Sequence, residues 1–134
     1  VPLGIASGLS KTFNGAINSA NQIAGATALR KAGEEAQAMW RRFDKRRGLM
    51  ESCLRKIPAI QFRRPDGAFY FWLQYPAGLG TSLEVAARAA QAGVMVRRGE
   101  EFGSSGKYAL RLSYATDEAS IVEGVARLGR VLAD

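Results

Sequence analysis

The stretch Val94 to Ala115 carries the reading on which the fold turns: GVMVRRGEEFG over 93–103, followed after two serines and a glycine by KYALRLSYA over 107–115. Val94, Met95 and Val96 form a short apolar run entered from Gly93, which predicts a buried strand. A loop follows, with Gly99 and Gly103 on either side of Glu100, Glu101 and Phe102. From Tyr108 to Tyr114 the residues alternate, with Tyr108, Leu110, Leu112 and Tyr114 set against Ala109, Arg111 and Ser113, the period of a second strand. Arg111 breaks that pattern. It stands mid-strand on the face that otherwise carries small residues, where an anion has room to reach it. A guanidinium can grip a carboxylate there with two parallel hydrogen bonds. The plain alternative is an arginine on the solvated face of a half-buried sheet.

Working outward, Ala68 to Tyr75 is the most strand-like segment, with five aromatics among eight residues. Alternation sends Phe69, Phe71, Leu73 and Tyr75 to one side and Tyr70 and Trp72 to the other. Ile60 and Phe62, after Pro58, form its hairpin partner across the turn Pro65-Asp66-Gly67. Both faces of that hairpin are apolar, so both need cover. Thr81-Ser82-Leu83-Glu84 is a capping box opening a helix that stops at Gly93. Thr116 is the expected cap of a last helix, with Asp117 and Glu118 in its first turn and Ile121, Val125, Leu128 and Leu132 on its buried face.

Upstream, residues 17–56 turn helical. Leu29, Ala36, Trp40, Phe43, Met50, Leu54 and Ile57 make an apolar stripe interrupted only by Arg47, which places Trp40 and Phe43 in the core. Gly33 predicts two helices there, or one bent one. Residues 1–16 are rich in glycine and proline without periodicity and read as a linker or frayed end. The fold class that results is α+β, a two-layer sandwich of about four mostly antiparallel strands with a long N-terminal helix and two further helices.

Composition narrows the chemistry. The 134 residues include no histidine and one cysteine, Cys53, which removes Ser-His and Cys-His nucleophile pairs, the commonest metal ligand and any internal disulfide. No metal site is expected. A single cysteine suits a reducing cytoplasm, and no apolar run nears the roughly 20 residues that span a bilayer. The net charge of +7 is dispersed as pairs such as Arg41-Arg42 and Arg63-Arg64, the pattern of a solvated surface.

The segments GVMVRRGEEFG and YALRLSYA resemble the last third of class I and II pyridoxal-phosphate aminotransferases of the aspartate aminotransferase type. PDGAFYFW, NSANQIAGATAL and the final ARLGRVL extend the likeness in family order. The resemblance implies that residues 17–134 are the small, C-terminal domain of such an enzyme. It implies that Arg111 binds the α-carboxylate of an amino acid or 2-oxo acid, and that a loop containing Gly99, Phe102 and Gly103 borders the site and moves on closure. It also implies a homodimer for the whole enzyme. Arg98 departs from the family, standing where proline is usual, which leaves substrate class open and costs the loop some stiffness.

The reaction needs a lysine to form a Schiff base with pyridoxal 5'-phosphate. Ser10-Lys11-Thr12-Phe13 spells the family's lysine signature, yet the glycine- and arginine-bearing stretch that should follow is missing and Lys11 lies too close to Asn21-Gln22. Lys11 therefore reads as a solvated loop lysine, and the chain as an enzyme fragment that lacks most of the cofactor site and does not catalyse or hold the cofactor alone. A related β-lyase or decarboxylase would share Arg111. A different class, a basic sheet stacking RNA bases on Tyr70 and Trp72, is favoured by the aromatic strand and charge. It lacks the K/R-G-F/Y-G/A-F-V-x-F/Y strand of that module. A purely structural interaction domain is the third reading.

Overall fold

The structure is a computed structural model that describes residues 18–133 together with residues 4, 5, 7 and 8. Its contacts group into two compact units, Val1–Met39 and Trp40–Asp134. In the first unit, helix α1 spans Ser19–Lys31 and opens on Asn18, whose side-chain oxygen accepts from the Ala20 amide at 2.8 Å. No residue of α1 is buried, and Leu29 is 91% exposed. Helix α2, Gly33–Leu54, starts in this unit with Glu34 and Glu35 in its first turn, where carboxylates suit the helix dipole. The expected break thus falls at Ala32, directly before Gly33.

The second unit is built on a four-stranded antiparallel sheet in the order β1-β2-β4-β3: β1 Gln61–Phe62, β2 Tyr70–Gln74, β3 Arg97–Arg98 and β4 Ala109–Ser113. Strand alternation decides what each face does. Phe71 and Leu73 of β2 and Leu110 and Leu112 of β4 turn to one side and join the buried cluster. The helices add Met50 and Leu54 of α2, Val85 and Ala89 of helix α3 (Ser82–Gln91), and Ile121, Val125 and Leu128 of helix α4 (Glu118–Val131), and Ile60, Tyr75, Tyr114 and Leu132 complete the cluster. Fully burying one large apolar side chain stabilises by about 1.5–3 kcal/mol, so this face holds the unit together.

The ends of these elements follow local chemistry. Thr81 and Glu84 form the predicted capping box, the Thr81 amide donating to Glu84 Oε2 at 2.7 Å. Gly93 takes a φ of +77° just past α3, a conformation a side chain would disfavour. The cap of α4 is Asp117 rather than Thr116. Its carboxylate accepts from the Ser120 amide at 2.8 Å and from the Ser120 hydroxyl at 2.6 Å. Those bonds hold its pKa down at about 2. Either residue type can cap, but a carboxylate gains from the dipole as well.

Two sequence expectations give way. Trp40 is 64% exposed instead of buried, and α2 enters the core only from Phe43 onward, through Met50 and Leu54. Periodicity marks which side of a helix is apolar; it does not say how far along that side another layer reaches. Val94 to Val96 form no ladder either. Pairing with β4 begins at Arg97, and Met95 is 87% exposed between the half-buried Val94 and Val96. Among the described residues no helix is long and apolar enough to cross a membrane.

Candidate functional site

The other face of the sheet is polar and aromatic. Register places Trp72 of β2 and Arg97 of β3 on either side of Arg111 of β4, and Tyr70 opposite Ser113. Arg111 is half-buried. Its guanidinium carbon lies 4.0 Å from the centre of the Tyr70 ring and 4.3 Å from that of Phe102. Such contacts over ring faces are favourable for a cation. Trp72 meets Phe102 edge to face, with ring centroids 5.8 Å apart.

Phe102 reaches this place from a pair of 3-10 turns, Gly99–Phe102 and Ser104–Gly106, that fold over the Ala109 end of the face. Gly99 and Gly106 touch backbone to backbone. A Cβ on Gly99 would fall 2.3 Å from the Gly106 carbonyl oxygen, and one on Gly106 would fall 2.1 Å from that of Gly99. Gly99 is thus a packing glycine, while Gly103, with a φ of +133° and open space about it, retains the conformational freedom of the loop. Arg98, where the resemblance expects proline, has a φ of −67°, close to the value proline imposes.

No carboxylate among the described residues pairs with Arg111. The glutamates of the adjoining turn are engaged elsewhere. Glu100 accepts from the buried Ser82 hydroxyl at 2.9 Å. Glu101 pairs with Arg97 and accepts from Arg98 Nε at 3.3 Å. Burial works to raise the Glu101 pKa, but the bonds from Arg98 and Arg97 together hold the carboxyl below its usual range. Arg111 Nε itself is buried without a hydrogen-bond partner among the described residues. With two rings against it and no carboxylate partner among the described residues, the guanidinium keeps donors of the kind that receive a planar carboxylate through two hydrogen bonds.

The sequence reading named Arg111, Phe102, Gly99 and Gly103 as candidates; it did not place the Tyr70 and Phe102 rings against the arginine. The period-two pattern could have placed Tyr70 beside Arg111, since both face away from the core leucines. Tyr70 is also less suited to stacking an RNA base than its sequence suggests, because Arg111 occupies one ring face and the Phe69 ring sits 4.3 Å away. Lys11 lies outside the described residues. Among the described residues no group of three or more acidic, histidine or cysteine side chains is placed to hold a metal ion. An apolar groove of about 450 Å³, bordered by Cys53, Ile57, Val122, Ala126 and Leu132, lies between the end of α2 and α4 and contains no residue of the Arg111 face.

No family model matches the chain. Relatives do. It is 32% identical over 124 residues to the LL-diaminopimelate aminotransferase of Nitratidesulfovibrio vulgaris, a match spanning 92% of this chain and 32% of that protein. It is 32% identical over 115 residues to an aspartate aminotransferase of Pyrococcus horikoshii, covering 83% of this chain and 29% of the relative. Among solved structures it superposes on an α-aminoadipate aminotransferase from Thermus thermophilus, crystallised with N-(5'-phosphopyridoxyl)-L-leucine. That match has a TM-score of 0.80 and 28% identity, over 93% of this chain and 33% of that one. The chain belongs with the aminotransferases of the aspartate aminotransferase fold and matches the C-terminal part of such an enzyme. It spans about a third of the length of the curated relatives it matches.

Proposed function

We propose that residues 17–134 serve as the small domain of a pyridoxal-phosphate-dependent aminotransferase, with residues 1–16 as a linker, and that Arg111 binds the substrate's α-carboxylate. The observation that supports this reading is a guanidinium lying against the Tyr70 and Phe102 rings with no carboxylate partner among the described residues. The relatives' names span diaminopimelate and aspartate, which differ in side chain and share the α-carboxylate. Arg111 suits the shared part. It does not select among side chains.

The cofactor supplies the stabilisation of charge at the substrate's α-carbon. The described residues do not make its pocket by themselves. Lys45 pairs with Glu118 at 3.0 Å and the Lys107 ammonium lies over the Tyr108 ring. In this reading the cofactor sits in the parts of the enzyme that this chain does not match. The chain's own contribution is to bind and orient the carboxylate, with the Gly99–Gly103 loop at the border of the site. A homodimer working on amino acids and 2-oxo acids in the cytoplasm completes the proposal.

The test is Arg111→Ala in a full-length enzyme carrying this domain. Losing a hydrogen-bonded charge pair of this kind costs about 2–5 kcal/mol of substrate binding. Arg111→Lys, which keeps the charge but not the fork, is expected to recover only part of it. Unchanged affinity for the amino-acid substrate in Arg111→Ala would remove the assignment.

A further inference from the structure

Two arginines stand directly opposite each other on this face, Arg97 on β3 and Arg111 on β4. Like charges facing each other across a ladder destabilise it, so something must offset one of them. Glu101 does. Its carboxylate bridges the Arg97 and Arg98 guanidiniums, and its side chain is 24% exposed. The next residue in the chain is Phe102, whose ring centre lies 4.3 Å from the Arg111 guanidinium carbon. The turn from Gly99 to Phe102 is short, and its base is pinned where Gly99 meets Gly106. Its other end, at Gly103, is conformationally permissive. Without the Glu101 contacts, no charged group ties the Phe102 end of the turn back to β3.

We propose that Glu101 is a positioning residue: by bridging Arg97 and Arg98 it holds Phe102 over Arg111 and fixes the guanidinium with its edge free for a carboxylate. Glu101 does not touch the ligand. It acts through a ring and a neighbouring charge, removing the repulsion from Arg97 while ordering the arginine before the ligand arrives. Ordering a binding group in advance lowers the entropy lost on binding. The proposal rests on the carboxylate reading of Arg111 only for its functional consequence; the positioning itself is a property of this chain.

The experiment is nuclear magnetic resonance of the full chain, uniformly labelled with nitrogen-15, observing the Arg111 Nε–H signal assigned by its loss in Arg111→Lys. Flanked by two rings and buried, that proton is expected to be displaced by ring currents and protected from exchange. In Glu101→Gln the part of the displacement that Phe102 causes should be lost and exchange should accelerate by about tenfold or more. Phe102→Leu should produce the same change with both ion pairs intact. If Glu101→Gln leaves the signal and its exchange as in the unsubstituted chain, the positioning role is overturned.

Titration with acetate separates this from the carboxylate reading. Saturable movement of the Arg111 signal in the unsubstituted chain, weakened about tenfold in Glu101→Gln, supports both. Equal acetate affinity in the two chains keeps Arg111 as the carboxylate group and overturns Glu101 as its positioner. No movement in either chain defeats the carboxylate reading, while the exchange measurement still decides whether Glu101 holds the ring in place.

Discussion

The two faces of the sheet are made by the same strands, often by adjacent residues, and they do opposite work. Phe71, Leu73, Leu110 and Leu112 disappear against three helices. One residue along, Tyr70, Trp72 and Arg111 stand on a face where rings and a guanidinium are gathered without a carboxylate to neutralise it. The comparison teaches that stability and chemistry can be separated in one sheet simply by the period of two. The apolar side chains of the core face are covered within the unit. The other face carries a guanidinium with no carboxylate partner among the described residues, the feature on which the proposed carboxylate site rests.

The sharpest way to break that contrast is Phe71→Ala. The side chain is fully buried, and its loss should lower the unfolding free energy by about 3–5 kcal/mol, read as a shift of the denaturation midpoint at unchanged slope. A small effect would mean that the core face is not what holds the unit together. Arg111→Ala should do the reverse. In the chain alone its unfolding free energy should stay within about 1 kcal/mol of the parent, while under the proposed function binding should weaken in the full enzyme. A large loss of stability would make Arg111 a structural residue and dissolve the distinction between the faces.

Tyr75 sharpens the comparison from the core side. Burial, then the nearby Glu100 carboxylate, push its pKa up to about 12, and its hydroxyl has no hydrogen-bond partner among the described residues. Tyr75→Phe removes a buried polar atom at nearly constant shape. It should raise stability by about 1 kcal/mol, measured by chemical denaturation. The smallest effect belongs to Asp117. Its carboxyl is held at about 2 in the folded chain, against about 3.9 when unfolded. The stability it contributes is therefore present above the unfolded value and fades as pH falls toward the folded one. Asp117→Asn, which still caps, should flatten that part of the pH–stability curve; an unchanged slope would show that the carboxylate charge is not used.

Much of this was legible beforehand where the cause is local. The capping box at Thr81 and Glu84 lies within one turn of helix, so four residues of sequence contain its whole geometry. The alternation of β2 and β4 likewise needs only the strand period. The Asp117 cap was missed by one position because two adjacent residues have nearly equal capping chemistry. Trp40 was misplaced for a different reason: its position on an apolar stripe is local, but its cover is not. Tyr70, seen as an open platform, is half taken by an arginine that is 41 positions away in sequence and one strand away in space.

What the order of residues determined by itself was the set of elements, their apolar sides and the presence of an arginine on the non-core side of a strand. These depend on backbone periods and on side chains reaching their own or the next turn. Only the tertiary arrangement decided that Arg111 would lie against the Tyr70 and Phe102 rings and that Gly99 would be locked against Gly106. Each of those contacts requires two segments to meet in register. The free energy of that meeting belongs to the packed sheet rather than to any stretch of chain.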